Sequence, residues 1–203
     1  LFTFLIFLKI MPSDREGFCN WSNSHDIYMQ YHDNEWGNPE FDGRKLFEML
    51  TLETFQSGLS WIIILKKRDN FKIAFDNFNP KVISRYNNKK IKELMEDRSI
   101  VRNKKKILST INNAKIYNNK FKSSKKFSDF FWKYVDHKPI INSRKELREI
   151  PKDTELSKKI SKKMKELGFS FCGPVTVYSF MQASGIVNDH LVSCPHYLKC
   201  QKD

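Results

Sequence analysis

The sequence predicts an all-α protein built as one compact helical domain. Apolar residues recur at spacings of three and four along nearly the whole chain, which is typical of helices that bury one face. No convincing alternation of apolar and polar residues indicates a β-strand. The 203 residues contain 7 Gly and 7 Pro against 17 Phe, a composition that argues against disordered, collagen-like and all-β repeat proteins.

Capping residues and glycines divide the chain into helices. Asp42 precedes an apolar segment that Gly58 ends, and Ser24 and Ser60 are candidate N-caps of the helices on either side. Asn70 is a candidate start for a further short helix. The remaining predicted helices begin at Pro80 or span residues 88–95, 103–117, 127–132, 154–167 and 174–183.

The first ten residues, LFTFLIFLKI, form an apolar extension before Met11. A bilayer-spanning helix needs about 20 apolar residues, so this segment is too short. We expect residues 1–10 to lie outside the fold and residues 11–203 to form a single domain. Four cysteines are too few for a disulfide scaffold, and we therefore expect an intracellular, cytoplasmic protein. We also expect a monomer with no membrane association.

The excess positive charge is concentrated in one stretch. The chain has 36 Lys and Arg against 23 Asp and Glu, a net charge of +13. Residues 81–126 alone hold 15 basic and 3 acidic side chains. Such a block either cradles the phosphates of a nucleic acid or forms solvated helix surfaces, and the sequence leaves both interpretations open.

Two Cys–His pairs near the chain ends are candidate metal ligands: Cys19 with His32, and His190 with Cys194. Two Cys and two His suit a closed, tetrahedral Zn²⁺ site, which would join the N- and C-terminal segments as a staple. Such pairs also arise by chance. His196 and Cys200 repeat the four-residue spacing, so spacing alone leaves the ligand set open.

A tight turn bounded by Gly168 and Gly173 separates two amphipathic helices. The second helix begins with Gly-Pro, which exposes backbone N–H groups at the positive end of the helix dipole. The arrangement fits a helix-hairpin-helix element that docks on a DNA backbone. An ordinary helix–helix turn is the alternative.

An aromatic cluster surrounds one acidic residue, and its members are Tyr28, Tyr31, Trp36, Glu53, Gln56 and Trp61. Aromatic walls with one buried carboxylate suit an extruded, electron-poor nucleobase. The residue pattern alone favours the alternative, a packed aromatic core with Glu53 at its edge.

Several linked motifs cover the chain from about Cys19 to Cys194. They are Cys19-Asn-Trp, Tyr31-His-Asp-Asn-Glu-Trp-Gly37, Lys45-Leu-Phe-Glu-Met49, Gly58-Leu-Ser-Trp61, Leu65-Lys-Lys-Arg68, Gly168-Phe-Ser-Phe-Cys-Gly173, Tyr178-Ser-Phe-Met-Gln182 and Val187-Asn-Asp-His190. In this order they resemble the DNA-3-methyladenine glycosylase I family. The chain departs from the family in Thr54-Phe55 beside the acidic residue and in Pro195-His196 after the last cysteine.

The resemblance implies a helix-hairpin-helix DNA glycosylase with one structural Zn²⁺. It implies zinc ligands at Cys19, His32, His190 and Cys194, and a base pocket at Tyr31, Glu53 and Trp61 with Tyr28 and Trp36 nearby. It further implies that Leu59 fills the gap left by an extruded nucleotide, and that Gly168, Phe169 and Gly173 hold phosphates.

The implied activity is hydrolysis of the N-glycosidic bond of 3-methyladenine in double-stranded DNA that contains alkylated bases. Glu53 would be the catalytic carboxylate, accepting hydrogen bonds from the cationic base, while Tyr31 and Trp61 stack on that base. For Asp189, beside His190, we expect a positioning role. The alternative function is a helix-hairpin-helix protein that binds DNA without catalysis.

Overall fold

The computed structural model describes residues 15–201 and confirms an all-α fold. Its α-helices are α1 Asp26–Asn34, α2 Gly43–Gln56, α3 Trp61–Ala74, α4 Pro80–Ile83, α5 Asn88–Glu96, α6 Lys104–Ile116, α7 Ser124–Trp132, α8 Glu155–Glu166, α9 Pro174–Ala183 and α10 Pro195–Lys199. The predicted extension, residues 1–10, lies outside the described part of the chain. No helix within that part is long and apolar enough to cross a membrane.

Most helix starts follow from local side-chain chemistry. The Asp42 side chain accepts hydrogen bonds from the backbone of Arg44 and Lys45 at the start of α2. Asn103 caps α6, and Thr154 forms a capping box with Ser157 at the start of α8. Each such cap stabilises its helix by about 1 kcal/mol because it satisfies N–H groups that lack a partner within the helix.

Two predicted boundaries are wrong. Helix α1 begins after His25 and not after Ser24. Helix α3 runs unbroken through Asn70, which is exposed on its surface. The buried residues Ile64 and Phe71 continue one apolar stripe across that position, and their packing outweighs the weak tendency of Asn to start a helix.

Short parallel strands, absent from the sequence prediction, join two distant loops. Strand β1, Ile140–Ile141, pairs with β2, Val187–Asn188. A single bridge between Arg144 and Leu191 extends the pairing. Strands of two residues are too short for side-chain alternation to predict them.

The main core is aromatic and lies around α2. Phe47 and Phe55 of α2 are completely buried, as are Trp132 of α7 and Phe180 of α9. Helix α2 packs against α3, α7 and α9. A second, smaller core forms where the segment before α1 meets the segment before α10. Its buried apolar residues are Cys19, Tyr31, Trp36, Leu65, Ala183, Leu191 and Cys194.

Helices α8 and α9 pack against each other as a helical hairpin. Gly168 begins the turn with φ +96°, and Phe171 in its middle also has a positive φ, +54°. Pro174 occupies the first turn of α9, where its missing N–H costs nothing.

Candidate active site and metal cluster

A cavity of about 270 Å³ lies where α1, α2, α3 and α9 meet. Its lining residues are Trp21, Tyr31, Trp36, Glu53, Gln56, Trp61, Ile150, Ser179 and Gln182. The structure thus brings together five members of the predicted cluster and places a cavity among them; they are Tyr31, Trp36, Glu53, Gln56 and Trp61. The aromatic cluster is therefore hollow rather than filled.

The turn between α2 and α3 brings two pocket residues together. Glu53 lies in the last turn of α2, and Trp61 is the first residue of α3. Gly58 allows the reversal because it adopts φ +81°, a conformation that L side chains rarely adopt. Gln56 closes the turn, since its side chain donates to the Leu59 carbonyl over 3.0 Å.

The Glu53 carboxyl is the most perturbed group of the pocket. Its residue is 6% exposed, and the side chain makes no hydrogen bond to another described residue. Burial raises the pKa of this carboxyl to about 8, because removal from water disfavours the charged form. The indole N–H of Trp61 is also buried without a partner among the described residues. The cavity therefore offers one unpaired acid and one unpaired donor.

The aromatic rings restrict where a flat ligand can lie. Tyr31 and Trp61 contact each other, with ring centroids 5.4 Å apart and planes tilted by 55°. A base between two rings needs a separation of about 7 Å, two contact distances. A ligand therefore lies against Tyr31 and Trp61 and not between them. Trp21 and Trp36 also meet edge to face at 5.1 Å.

Tyr28 lies beside the cavity without lining it, and its ring meets the lining residue Trp21 edge to face at 5.8 Å. Its hydroxyl accepts a hydrogen bond of 2.9 Å from the backbone N–H of Ile62. That N–H lies in the first turn of α3, where no partner within the helix exists. Tyr28 thus fixes the helix start that carries Trp61.

Sequence reasoning missed four lining residues, which are Trp21, Ile150, Ser179 and Gln182. Three of them, Trp21, Ser179 and Gln182, occur in the motifs that carry the family resemblance, although the motifs do not indicate their place in the pocket. Ile150 comes from the long segment between α7 and α8, whose path no local pattern indicates.

Asp189 is completely buried and well satisfied. It accepts hydrogen bonds from the side chains of Tyr178, Gln182 and Asn142 at 2.5 to 2.8 Å. It does not line the cavity, but through Gln182 it supports the cavity wall. These contacts fit the expected positioning role.

The four predicted metal ligands converge on one buried point. The ligand atoms of Cys19, His32, His190 and Cys194 lie within 4.8 Å of one another. Cys194 Sγ is 3.5 Å from His32 Nε2 and 3.7 Å from His190 Nδ1, and Cys19 Sγ is also 3.7 Å from His190 Nδ1. A tetrahedral Zn²⁺ separates such sulfur and nitrogen ligands by about 3.6 Å. The donor set therefore fits a tetrahedral metal.

Neighbouring groups orient the ligands. Asp33 bonds His32 Nδ1 at 2.7 Å, and the Trp36 carbonyl lies 3.1 Å from His190 Nε2, so each ring turns its other nitrogen to the cluster. Hydrogen bonds from Cys19 and the two imidazoles lower the pKa of the Cys194 thiol. A side chain at Gly37 would place its Cβ 2.8 Å from His190 Nε2.

The rival ligands do not join this set. His196 instead shares a second group with His32 and Asp33, and its Nε2 lies 3.4 Å from Asp33 Oδ1. The Cys200 thiol bonds the side chain of Asn38.

The predicted DNA-contacting residues divide into exposed and buried ones. Leu59 is 36% exposed at the tip of the α2–α3 turn. Phe169 is buried in the core, and its N–H and that of Gly168 bond α8 carbonyls. The N–H groups of residues 171–173, 175 and 176 make no hydrogen bond within the described chain. Of the three predicted phosphate-holding residues, only Gly173 has a free N–H group. The free N–H groups lie at the α9 end of the hairpin.

Known proteins resemble this chain over most of its length. A family model described as methyladenine glycosylase matches residues 21–197, which include every residue that lines the cavity. The DNA-3-methyladenine glycosylase of Haemophilus influenzae is 46% identical over 177 residues, which cover 87% of this chain and 96% of that protein. For DNA-3-methyladenine glycosylase 1 of Escherichia coli K12 the identity is 44% over 179 residues, covering 88% and 96%.

Solved structures share the fold. The 3-methyladenine DNA glycosylase I of Staphylococcus aureus has a TM-score of 0.83 and 34% identity, covering 91% of this chain and 96% of that one. A variant 3-methyladenine DNA glycosylase I in complex with 3-methyladenine also has a TM-score of 0.83 at 34% identity, covering 91% and 97%.

The buried carboxyl predicts a pH-dependent gain in stability for Glu53→Gln. The folded-state pKa of about 8 lies above the ordinary 4.5. The contribution of Glu53 to the free energy of unfolding is therefore fully present below about pH 4.5 and is lost as the pH rises through 8. The Gln side chain does not ionise, so the melting temperature of the variant relative to wild type should rise by about 10 °C between about pH 5 and 9. A difference that is constant over this pH range would contradict the burial argument.

Proposed function

The chain belongs to the methyladenine glycosylase family and hydrolyses the N-glycosidic bond of 3-methyladenine in DNA, and we propose that it does so in the cavity around Glu53. The observation that carries this assignment is an unpaired, buried carboxyl in an aromatic cavity. The reaction belongs to base-excision repair of alkylated DNA.

The substrate itself supplies much of the driving force. Methylation at N3 leaves the adenine cationic, so the base is already a good leaving group and needs little general-acid help. The enzyme must extrude the nucleotide, hold the damaged base and let water attack the sugar carbon.

Glu53 distinguishes the lesion from normal adenine by charge. In the empty cavity burial favours the neutral carboxyl, whose pKa is about 8. A cationic base beside it favours the carboxylate, which accepts hydrogen bonds from the base. Neutral adenine cannot stabilise the carboxylate in this way. Binding of neutral adenine is therefore weaker, because the cost of burying the negative charge is not offset.

The aromatic walls of the cavity also favour the cationic base over neutral adenine. Tyr31 and Trp61 offer ring surfaces that attract a cation more strongly than a neutral base. The free indole N–H of Trp61 is available to an acceptor on the base. Trp36 supplies a further ring of the lining. A protein that only binds DNA, the alternative function, has no use for an unpaired carboxyl in such a cavity.

Two turns near the cavity support double-stranded DNA as the partner. Leu59 projects from the α2–α3 turn and would fill the gap left by the extruded nucleotide. The free N–H groups of residues 171–173, 175 and 176 would hold phosphates at the N-terminus of α9, as a helix-hairpin-helix element does. One chain provides the cavity and both turns, which supports a monomer. A DNA substrate requires an intracellular enzyme, and we propose the cytoplasm as its compartment.

One Zn²⁺ held by Cys19, His32, His190 and Cys194 is the metal that this donor set favours. All four ligands are protein side chains, so the ion would have no open position for chemistry and would be structural. The cluster joins the turn before α1 to the segment before α10, and Trp36, whose carbonyl holds His190, also lines the cavity. The metal would therefore hold one cavity wall in place.

Removal of the Glu53 charge should impair excision. The variant Glu53→Gln should release 3-methyladenine from methylated duplex DNA about a hundredfold more slowly under single-turnover conditions, because the cation loses its countercharge. The matched control Glu96→Gln replaces an exposed carboxyl on α5 and should match wild type. Undiminished release by Glu53→Gln would remove Glu53 from the mechanism.

The pKa of Glu53 predicts the pH profile of the wild-type enzyme. Because the free carboxyl is mostly protonated below its pKa of about 8, kcat/KM should rise between about pH 6 and 8 and then level off. The residual activity of Glu53→Gln should lack this rise. A wild-type profile that is flat over the range would show that ionisation of Glu53 does not matter.

Loss of one metal ligand should lower metal content and stability together. Cys19→Ser should bind less zinc, measured by elemental analysis, and should melt at a lower temperature than wild type. Cys172→Ser, which changes a buried cysteine outside the cluster, is the control and should retain its zinc. Purified wild type without any zinc would end the assignment.

A further inference from the structure

One face of α6 holds both turns that the proposed function places on DNA. Lys106, Ser109 and Asn113 are buried and follow one another at helical spacing, and the half-buried Asn112 lies beside them. We call these four residues the α6 row. Their side chains donate to backbone carbonyls of the α2–α3 turn and of the α8–α9 hairpin.

Lys106 binds the end of α2. Its Nζ donates to the carbonyls of Phe55 and Ser57, at 2.7 and 2.6 Å. Helix α2 leaves carbonyls without partners at its C-terminus, and a positive charge there also suits the helix dipole. Lysine is rarely buried, since its charge is costly to remove from water, so these two bonds account for its position. Gly58 and the exposed Leu59 follow directly.

The other three residues bind the hairpin. Asn113 makes a reciprocal pair with Ser170, donating to its carbonyl and accepting from its N–H at 3.1 and 3.0 Å. Ser109 donates to the same carbonyl at 3.2 Å. Asn112 donates to the Gly168 carbonyl at 2.9 Å. The free N–H groups of the hairpin begin at the next residue, Phe171.

We propose that the α6 row is a set of positioning residues that fixes the distance between the Leu59 turn and the phosphate-binding hairpin. The inference rests on the proposed function, in which both turns contact the same DNA. Each turn joins its own pair of helices, and α6 forms hydrogen bonds with both turns. If the row is broken, Leu59 and the hairpin N–H groups no longer match one DNA duplex, whereas the cavity around Glu53 keeps its lining.

Three single variants test the α6 row: Lys106→Met, Asn113→Ala and the milder Asn112→Ala, whose site is only half buried. Lys115→Met is the control, because it removes one positive charge from an exposed position of the same helix. Binding to a duplex with a stable abasic-site analogue, single-turnover excision and binding of free 3-methyladenine by tryptophan fluorescence are measured for each. Melting curves identify variants that fail to fold.

We expect the row variants to lose duplex affinity and excision rate by about tenfold or more, since small misplacements of contacting groups have large effects. Their affinity for free 3-methyladenine should stay within about twofold of wild type, and Lys115→Met should change little. Lys106→Met combined with Leu59→Ala should cost less duplex affinity than the two changes separately predict, because both act through one turn.

Unchanged duplex binding in folded row variants would overturn the inference. An equal loss of affinity for the free base and for the duplex would also overturn it. So would strictly additive losses of duplex affinity when Lys106→Met is combined with Leu59→Ala. If wild type releases 3-methyladenine and the row variants equal it, this inference fails alone. If wild type releases no 3-methyladenine, the proposed function fails.

Discussion

The site depends on one buried carboxyl that has no hydrogen-bond partner among the described residues. Glu53 faces a cavity of aromatic rings, and burial alone accounts for its raised pKa. A protein normally pairs or exposes such a group, because an isolated charge in a weakly polar interior is costly. In the proposed function, the positive charge of the methylated base supplies this partner. Selectivity for the lesion would then follow from the same unfavourable burial that makes the empty site unusual.

The rest of the molecule positions the walls of that cavity. Helix α2 carries Glu53 and is packed on three sides by α3, α7 and α9, which fixes the backbone from which the carboxyl projects. The cluster of two Cys and two His ties the chain ends together and holds the Trp36 backbone. Asp189 supports the opposite wall through Gln182. Polar groups that do not touch the base thus determine where the aromatic walls stand.

Local signals in the sequence were enough to predict most helices. The predicted cap Asp42 lies where the sequence placed it, and the helices predicted from residues 103 and 154 begin within one residue of those positions, because capping depends on neighbouring residues only. The break at Asn70 was wrong because long-range packing of Phe71 overrides local preference. The cavity wall at Ile150 and the role of Tyr28 depend on contacts between distant segments, which no spacing rule provides. Lys106 lies within the basic stretch of residues 81–126, where nothing in its local sequence distinguishes it from its exposed neighbours.

Ionisation of Glu53 can be measured by a carbon-13 NMR titration of the protein with labelled glutamate carboxyls. Glu53→Gln identifies the signal by its loss. We expect a pKa near 8 in the free protein and a clear decrease when an adenine alkylated at both N3 and N9, and therefore cationic, occupies the cavity. A pKa near the ordinary glutamate value of 4.5 in the free protein, or no response to the cation, would contradict this expectation.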